Sequence, residues 1–256
     1  MLLRVRFLGT GTSQGVPVIG CQCKVCQSSD PRDKRLRSAV LIDYRKKSIV
    51  IDTGPDFRQQ MLDAQQMKID AVLYTHEHRD HIAGMDDLRS FNFMTKKAIE
   101  LYAEKQVQTA LKTVFPYVFS DRKYPGVPDV NLHNIDESPF TIDGIEIIPI
   151  RVMHYRLPIL GFRIGDFTYI TDAKYIPPEE KKKILGSKVI VVNALRKQSH
   201  ISHFSLSEAV GFIKEFSPKA AYITHISHQL GTTEAVEKEL PENIFLAYDG
   251  LEINLD

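Results

Sequence analysis

A chain of 256 residues with 43% hydrophobic and 25% charged side chains is long enough for one large domain with a substantial buried core. Its 33 basic and 32 acidic side chains leave a formal net charge of +1, which argues against partners gripped by charge alone, such as nucleic acid or an anionic membrane surface. No apolar run approaches the length of a membrane span, and residues Met1 to Phe7 are interrupted by charge before Gly9, unlike a signal peptide, so a cytoplasmic setting is expected.

Short apolar runs rich in β-branched residues, bounded by Gly, Pro, Asp or Asn, predict strands at 3–8, 39–44, 48–51, 71–74, 99–103 and 145–151. Further strands are expected at 159–164, 167–171, 189–192, 220–224, 244–247 and 251–254. Helical spacing of apolar residues falls between them at 57–66, 85–93, 105–115, 179–185, 206–216 and 233–240. Ser205 followed by Glu208 forms a capping box, which gives one helix start a mechanism. Strands come in pairs and threes as well as alternating with helices, so mixed sheets are expected. Without a repeat or a linker, the sequence predicts one α/β domain over residues 1–256, built as two packed sheets with outer helices.

The apolar strand at 71–74 runs straight into Thr75-His76-Glu77-His78-Arg79-Asp80-His81. Imidazole and carboxylate are the ligands of zinc, manganese or iron, and His76, His78, Asp80 and His81 place four of them in six residues. A solvated loop has no reason to collect such a set after a wholly apolar strand. His154, Asp172 and His225 also follow predicted strands, where a rigid backbone makes side chains converge. Taken singly, each of these three would be read as an ordinary hydrogen-bonding residue.

Cys21, Cys23 and Cys26 are too closely spaced for a disulfide framework, and three thiolates imply a zinc with a fourth ligand elsewhere; a redox role is the alternative. The chain offers His228, three residues beyond His225. The run Gly9-Thr10-Gly11-Thr12-Ser13-Gln14-Gly15 has backbone N–H groups suited to a phosphate, but it lacks a P-loop lysine and is also explained as a tight turn.

The series His76-x-His78-x-Asp80-His81, then His154, Asp172 and His225, resembles the metallo-β-lactamase superfamily over essentially the whole chain. Ile51-Asp52-Thr53-Gly54-Pro55-Asp56 and Ala247-Tyr248-Asp249-Gly250 extend the likeness. The resemblance implies an αββα sandwich of two mixed sheets. It also implies one metal on His76, His78 and His154, a second on Asp80, His81 and His225, and Asp172 bridging them. His78 stands where the di-iron redox branch carries Glu, which favours hydrolysis over electron transfer. The cysteine cluster after Gly-Thr-Gly-Thr-Ser, with His225-x-x-His228, is similar to the phosphoribosyl 1,2-cyclic phosphate phosphodiesterases of the carbon-phosphorus lyase pathway and their relatives. There the three Cys and the second His hold a structural zinc.

Two divalent ions about 3.5–4 Å apart share a water and lower its pKa, so a bridging hydroxide would serve as nucleophile without a Ser or Cys. A leaving alkoxide needs a proton, for which His200 and His203 are the candidates; the phosphodiesterase branches favour His203. Asp80 counts with them as a catalytic residue. Asp52 is expected to orient ligand histidines, Asp56 to cap the helix starting at Phe57, Arg89 to form a local ion pair, and His133 to have no role. The leading expectation is a dinuclear phosphodiesterase acting on a small cyclic or diester phosphate, with a homodimer as the default assembly. Three alternatives stand beside it. One is a tRNA 3′-end endoribonuclease, for which no Gly- and Lys-rich arm is present; the others are a thioesterase or lactonase, and a non-enzymatic metal-binding module.

Overall fold

The period of two along each strand decides which side chains lie between the sheets and which lie outside them. The computed structural model describes residues 2–122 and 124–255. One sheet runs in the order β14 (Glu252–Leu255), β1 (Leu3–Gly9), β2 (Ala39–Tyr44), β3 (Lys47–Ile51), β4 (Ala71–Leu73), β5 (Ile99–Ala103), β6 (Val130–Asn134). The other runs β13 (Ile244–Leu246), β12 (Ala220–Thr224), β11 (Val189–Asn193), β10 (Phe167–Ile170), β9 (Leu157–Ile164), β8 (Ile145–His154), β7 (Phe140–Ile142). Both are mixed. The antiparallel stretch β14-β1-β2-β3 gives way to parallel pairing from β3 to β6. Likewise β7 to β10 pair antiparallel and β10 to β13 parallel.

Val40, Ile42, Ile49, Ile51, Val189 and Val191 point into the core between the sheets. Their neighbours Leu41 and Val50 face outward, packing with Phe57 and Met61 of α1 (Phe57–Asp63) and with Val107 and Leu111 of α4 (Lys105–Val114). Ile82 of α2 (Arg79–Ile82) and Phe91 of α3 (Arg89–Thr95) join that layer. On the other side Ile190 and Val192 meet α5 (Pro178–Ile184), α6 (Leu206–Lys214) and α7 (Thr233–Glu237). The layers are therefore helix, sheet, sheet, helix, and strands buried on both faces explain the unbroken apolar runs. The capping box opens α6: Ser205 Oγ accepts the Glu208 N–H and the Glu208 carboxylate accepts the Ser205 N–H at 2.7 Å.

Some boundaries move. The expected strand at 145–151 continues to His154 because it is zipped to β9 as far as the pair His154 and Leu157. The expected helix at 85–93 is a 3-10 turn, Met85–Leu88, followed by α3, which stops where Lys96 turns left-handed. α1 and α7 are three residues shorter than expected. β7 escaped the pattern because it has only three residues, and the polar β6, Val-Asn-Leu-His-Asn, shows in the sequence only as a strand edge at His133. Among the described residues no helix is long and apolar enough to cross a membrane.

Candidate metal centre

Side chains from the C-terminal ends of β4, β8, β10 and β12 meet at one edge of the sandwich. The backbone there is unusual. Asp52 after β3, Asp172 after β10 and His225 after β12 adopt left-handed φ values of 66°, 57° and 54°. Asp and His tolerate this region better than most residues, and strain concentrated at strand ends is a property of functional sites.

Three clusters of candidate ligands result. His76, His78 and His154 offer nitrogens within 4.8 Å of one another; a carboxylate oxygen of Asp80 and nitrogens of His81 and His225 lie equally close; and His76, His81 and Asp172 link the two sets. His76 Nε2 and His78 Nδ1 are 3.0 Å apart, against about 3.4 Å for the edge of a tetrahedron with bonds of about 2.05 Å. Asp172 faces both sets: it groups with His76 and with His154 of the first, and its Oδ2 is 3.4 Å from His81 Nε2 and its Oδ1 3.2 Å from His225 Nε2 of the second.

The electrostatics suit cations. Burial holds the His76 imidazole well below its usual pKa and brings that of His225 to about 4, so both favour a neutral ring with a free lone pair. Burial opposes charge on His81 as well, but Asp52, Asp80 and Asp172 outweigh it and raise the ring well above its ordinary value. Such a concentration of carboxylate charge calls for a positive group. His81 Nε2 is fully buried and makes no hydrogen bond, although Asp80 Oδ2 lies 3.1 Å away. A donor atom left in that state among other donors fits a metal ion.

A second layer fixes the ligands. Asp52 Oδ2 accepts from His81 Nδ1 at 2.7 Å and from the Thr75 hydroxyl at 2.8 Å, while Oδ1 takes the Thr75 N–H. Thr171 Oγ1 donates to Asp172 Oδ2 at 2.6 Å. Asp56 corrects its expected role: it sits at the helix start but makes no side-chain cap, because its carboxylate binds the Arg37 N–H and guanidinium instead, each at 2.8 Å. Behind the ligands, a methyl on Gly54 would collide with the backbone oxygen of Asp80, and one on Gly84 with that of Gly54. Gly54→Ala is therefore expected to cost about 1–3 kcal/mol of stability and to weaken metal retention. Thermal unfolding and elemental analysis check this.

His203 stands against the site and His200 behind it. His203 Nε2 is 3.1 Å from Asp172 Oδ1, its ring stacks on His225 at 5.1 Å, and it groups with His154 and Asp172 as a further set able to hold a metal. His200 meets His203 at 3.1 Å between their Nδ1 atoms and accepts the Ser202 N–H at 3.3 Å, with the Ser202 hydroxyl close to both rings.

The cysteines converge elsewhere. Cys21, Cys23 and Cys26 Sγ lie 3.3, 3.3 and 3.5 Å from His228 Nδ1, near the edge of about 3.6 Å expected of a tetrahedral zinc site with mixed S and N ligands. The Cys26 N–H pulls the Cys23 thiol down to about 6, whereas burial raises Cys26 to about 11. All three are free thiols. The Gly-rich run is not an open phosphate cradle: the N–H groups of Gly11, Thr12 and Gly15 bond to Leu36, Ile226 and Thr12. Arg89 pairs with Asp86 at 3.0 Å, and His133 on edge strand β6 pairs with Glu100 of β5.

Some supporting groups went unnoticed in the sequence, yet a pattern marks them: Thr75, Thr171 and Thr224 each immediately precede a candidate ligand at a strand end. Two of the three bond within the site, and the hydroxyl of Thr224 is buried without a partner.

Fold and site define a metal-dependent hydrolase of the metallo-β-lactamase type, and a family described as the Beta-lactamase superfamily domain matches residues 47–226. The chain belongs to that superfamily and, within it, to the PhnP family. The crystal structure of a diphosphatase of the PhnP family aligns with a TM-score of 0.94 and 39% identity, covering 100% of this chain and 98% of that one. Zinc-bound PqqB from Methylobacterium extorquens shares the fold, with a TM-score of 0.77 at 17% identity over 98% and 100% of the two chains. An octanoyltransferase of Porphyromonas gingivalis is 40% identical over 257 residues, 99% of this chain but 52% of its own length. The chain thus spans about half of that relative.

Proposed function

We propose that this chain, acting as one domain, is a dinuclear metal-dependent phosphodiesterase for a small cyclic or diester phosphate. The observation that carries the reading is the position of Asp172, which groups with His76 and with His154 of one set and has its oxygens 3.4 Å from His81 and 3.2 Å from His225 of the other. His76, His78 and His154 would hold one ion, and Asp80, His81 and His225 the other, with Asp172 shared. When bound, the two ions supply Lewis acidity and an acidified water.

The protein's own groups do the rest. Asp52 and Thr75 keep His81 turned towards the centre. His203 holds a proton at Nε2 beside Asp172 and delivers it to the leaving alkoxide, while His200 and Ser202 fix its ring from behind. Cys21, Cys23, Cys26 and His228 would hold a structural zinc outside the reaction centre. Phosphoryl chemistry is supported by the PhnP-family likeness, whose structurally aligned member is a diphosphatase.

The test is turnover by metal-loaded protein of bis(p-nitrophenyl) phosphate, a ribosyl cyclic phosphate and a dinucleoside diphosphate, with an aryl thioester at equal metal loading. Phosphodiester cleavage well above thioester cleavage is expected. No phosphodiester turnover at full metal occupancy contradicts the reading, and salt-sensitive tRNA binding would move it towards RNA processing.

A further inference from the structure

The Gly-rich run has the backbone donors of Gly11, Thr12 and Gly15 engaged within the protein, but it places one hydroxyl at the site. Thr12 is buried, and its Oγ1 lies 3.3 Å from His225 Nε2. Its position is fixed on both sides: the Thr12 N–H bonds to Ile226 O at 3.1 Å, the Ile226 N–H bonds to Thr10 O at 2.9 Å, and the Gly15 N–H bonds to Thr12 O at 2.7 Å. The loop is thus laced to the residue directly after His225.

His225 has two ring nitrogens with different surroundings. Nδ1 lies 3.5 Å from Thr171 Oγ1, whereas Nε2 faces Asp172 Oδ1 at 3.2 Å and belongs to the set with Asp80 and His81. Nε2 is therefore the atom turned towards the candidate ligands. A ligating imidazole nitrogen has no lone pair left for a hydrogen bond. Once Nε2 serves as a ligand, the Thr12 hydroxyl loses its acceptor, and a buried donor without a partner is destabilising. An oxygen of a bound phosphate is an acceptor suited to that place.

The geometry points to Thr12 as a substrate-contacting residue, its hydroxyl donating to a phosphoryl oxygen on the His225 side of the centre. This rests on the phosphodiesterase reading above. A neutral donor aimed at an oxygen that gains charge as the reaction proceeds belongs among the groups that stabilise such charge, and its removal acts on kcat more than on KM.

Thr12→Val removes the hydroxyl and keeps the shape; Thr12→Ser keeps the hydroxyl. All three proteins are compared at measured metal content, by turnover of bis(p-nitrophenyl) phosphate and by calorimetric binding of inorganic phosphate. For Thr12→Val the expectation is unchanged metal content, a loss of about 10- to 100-fold in kcat, and phosphate binding weakened about tenfold. Thr12→Ser should stay within about threefold of the wild type. Wild-type turnover and phosphate affinity in Thr12→Val overturn the inference, as does equal damage in Thr12→Ser, which would make the methyl group responsible. Loss of a metal ion in Thr12→Val also overturns it, because Thr12 would then position His225. A wild type that binds phosphate without cleaving phosphodiesters sinks the functional reading alone, and the phosphate affinities still decide the role of Thr12. A wild type that does neither contradicts both.

Discussion

Asp172→Asn is expected to lower kcat/KM for a phosphodiester by about 1,000-fold or more while leaving the fold intact. The carboxylate is buried within 3.1–3.4 Å of His203, His225 and His81. Burial opposes its charge, but His225 and His81 nearby, with the His203 hydrogen bond, hold it well below the usual carboxylate range. An amide has almost the same shape but no charge, and it puts an N–H where an acceptor is needed. The Thr171 hydroxyl, now donating to Oδ2, would face that N–H or have to turn away. Metal content should fall together with rate, because the carboxylate proposed to be shared by the two ligand sets has gone. Kinetics paired with elemental analysis reads both effects, and wild-type kcat with full metal content contradicts the assignment.

Cys23→Ser and His228→Ala are expected to release one zinc per chain and to lower the melting temperature by about 10 °C, from the loss of about 3–5 kcal/mol at about 2–4 °C for each kcal/mol. The chain has large cores away from this site, so the protein should remain folded. Damage should also reach the centre between the sheets. His228 lies three residues beyond His225, and the intervening Ile226 bonds to Thr10 and Thr12, so the cysteine loop, through His228, and the Gly-rich run hold the same segment. Weaker retention of the ion at His225 is the expected sign. Gln22, exposed between the cysteines, is the control, and Gln22→Ala should change neither quantity. Equal melting temperatures and zinc contents in all of these proteins would contradict a structural zinc.

The sequence made the site's outline legible for a physical reason. Strands buried on both faces read as unbroken apolar runs, so the end of each run is visible, and a His or Asp just beyond it stands out against its surroundings. His76, Asp172 and His225 are all of this kind. β6 showed only as a strand edge at His133, without bounds, because an edge strand with exposed Asn131 and half-buried His133 carries no such contrast. The choice between His203 and His200 depends on how the loop before Ser205 folds back over Asp172, which spacing does not report. Asp56 had the right type and place for a cap, but an ion pair with Arg37, distant in sequence, claims its carboxylate. The glycines tell the same story: Gly54 and Gly84 matter through close approach to backbone oxygens that only the packed structure brings near.

On this reading one chain carries two reactive ions beside a separate structural one. Elemental analysis during chelation, with phosphodiesterase activity followed in the same samples, distinguishes the three ions. The expectation is about three ions per chain, two removed readily by chelator together with all activity, and one zinc retained until the cysteines are modified or the protein unfolds. Activity that survives removal of every ion, or a fully active protein with about one ion per chain, would contradict it.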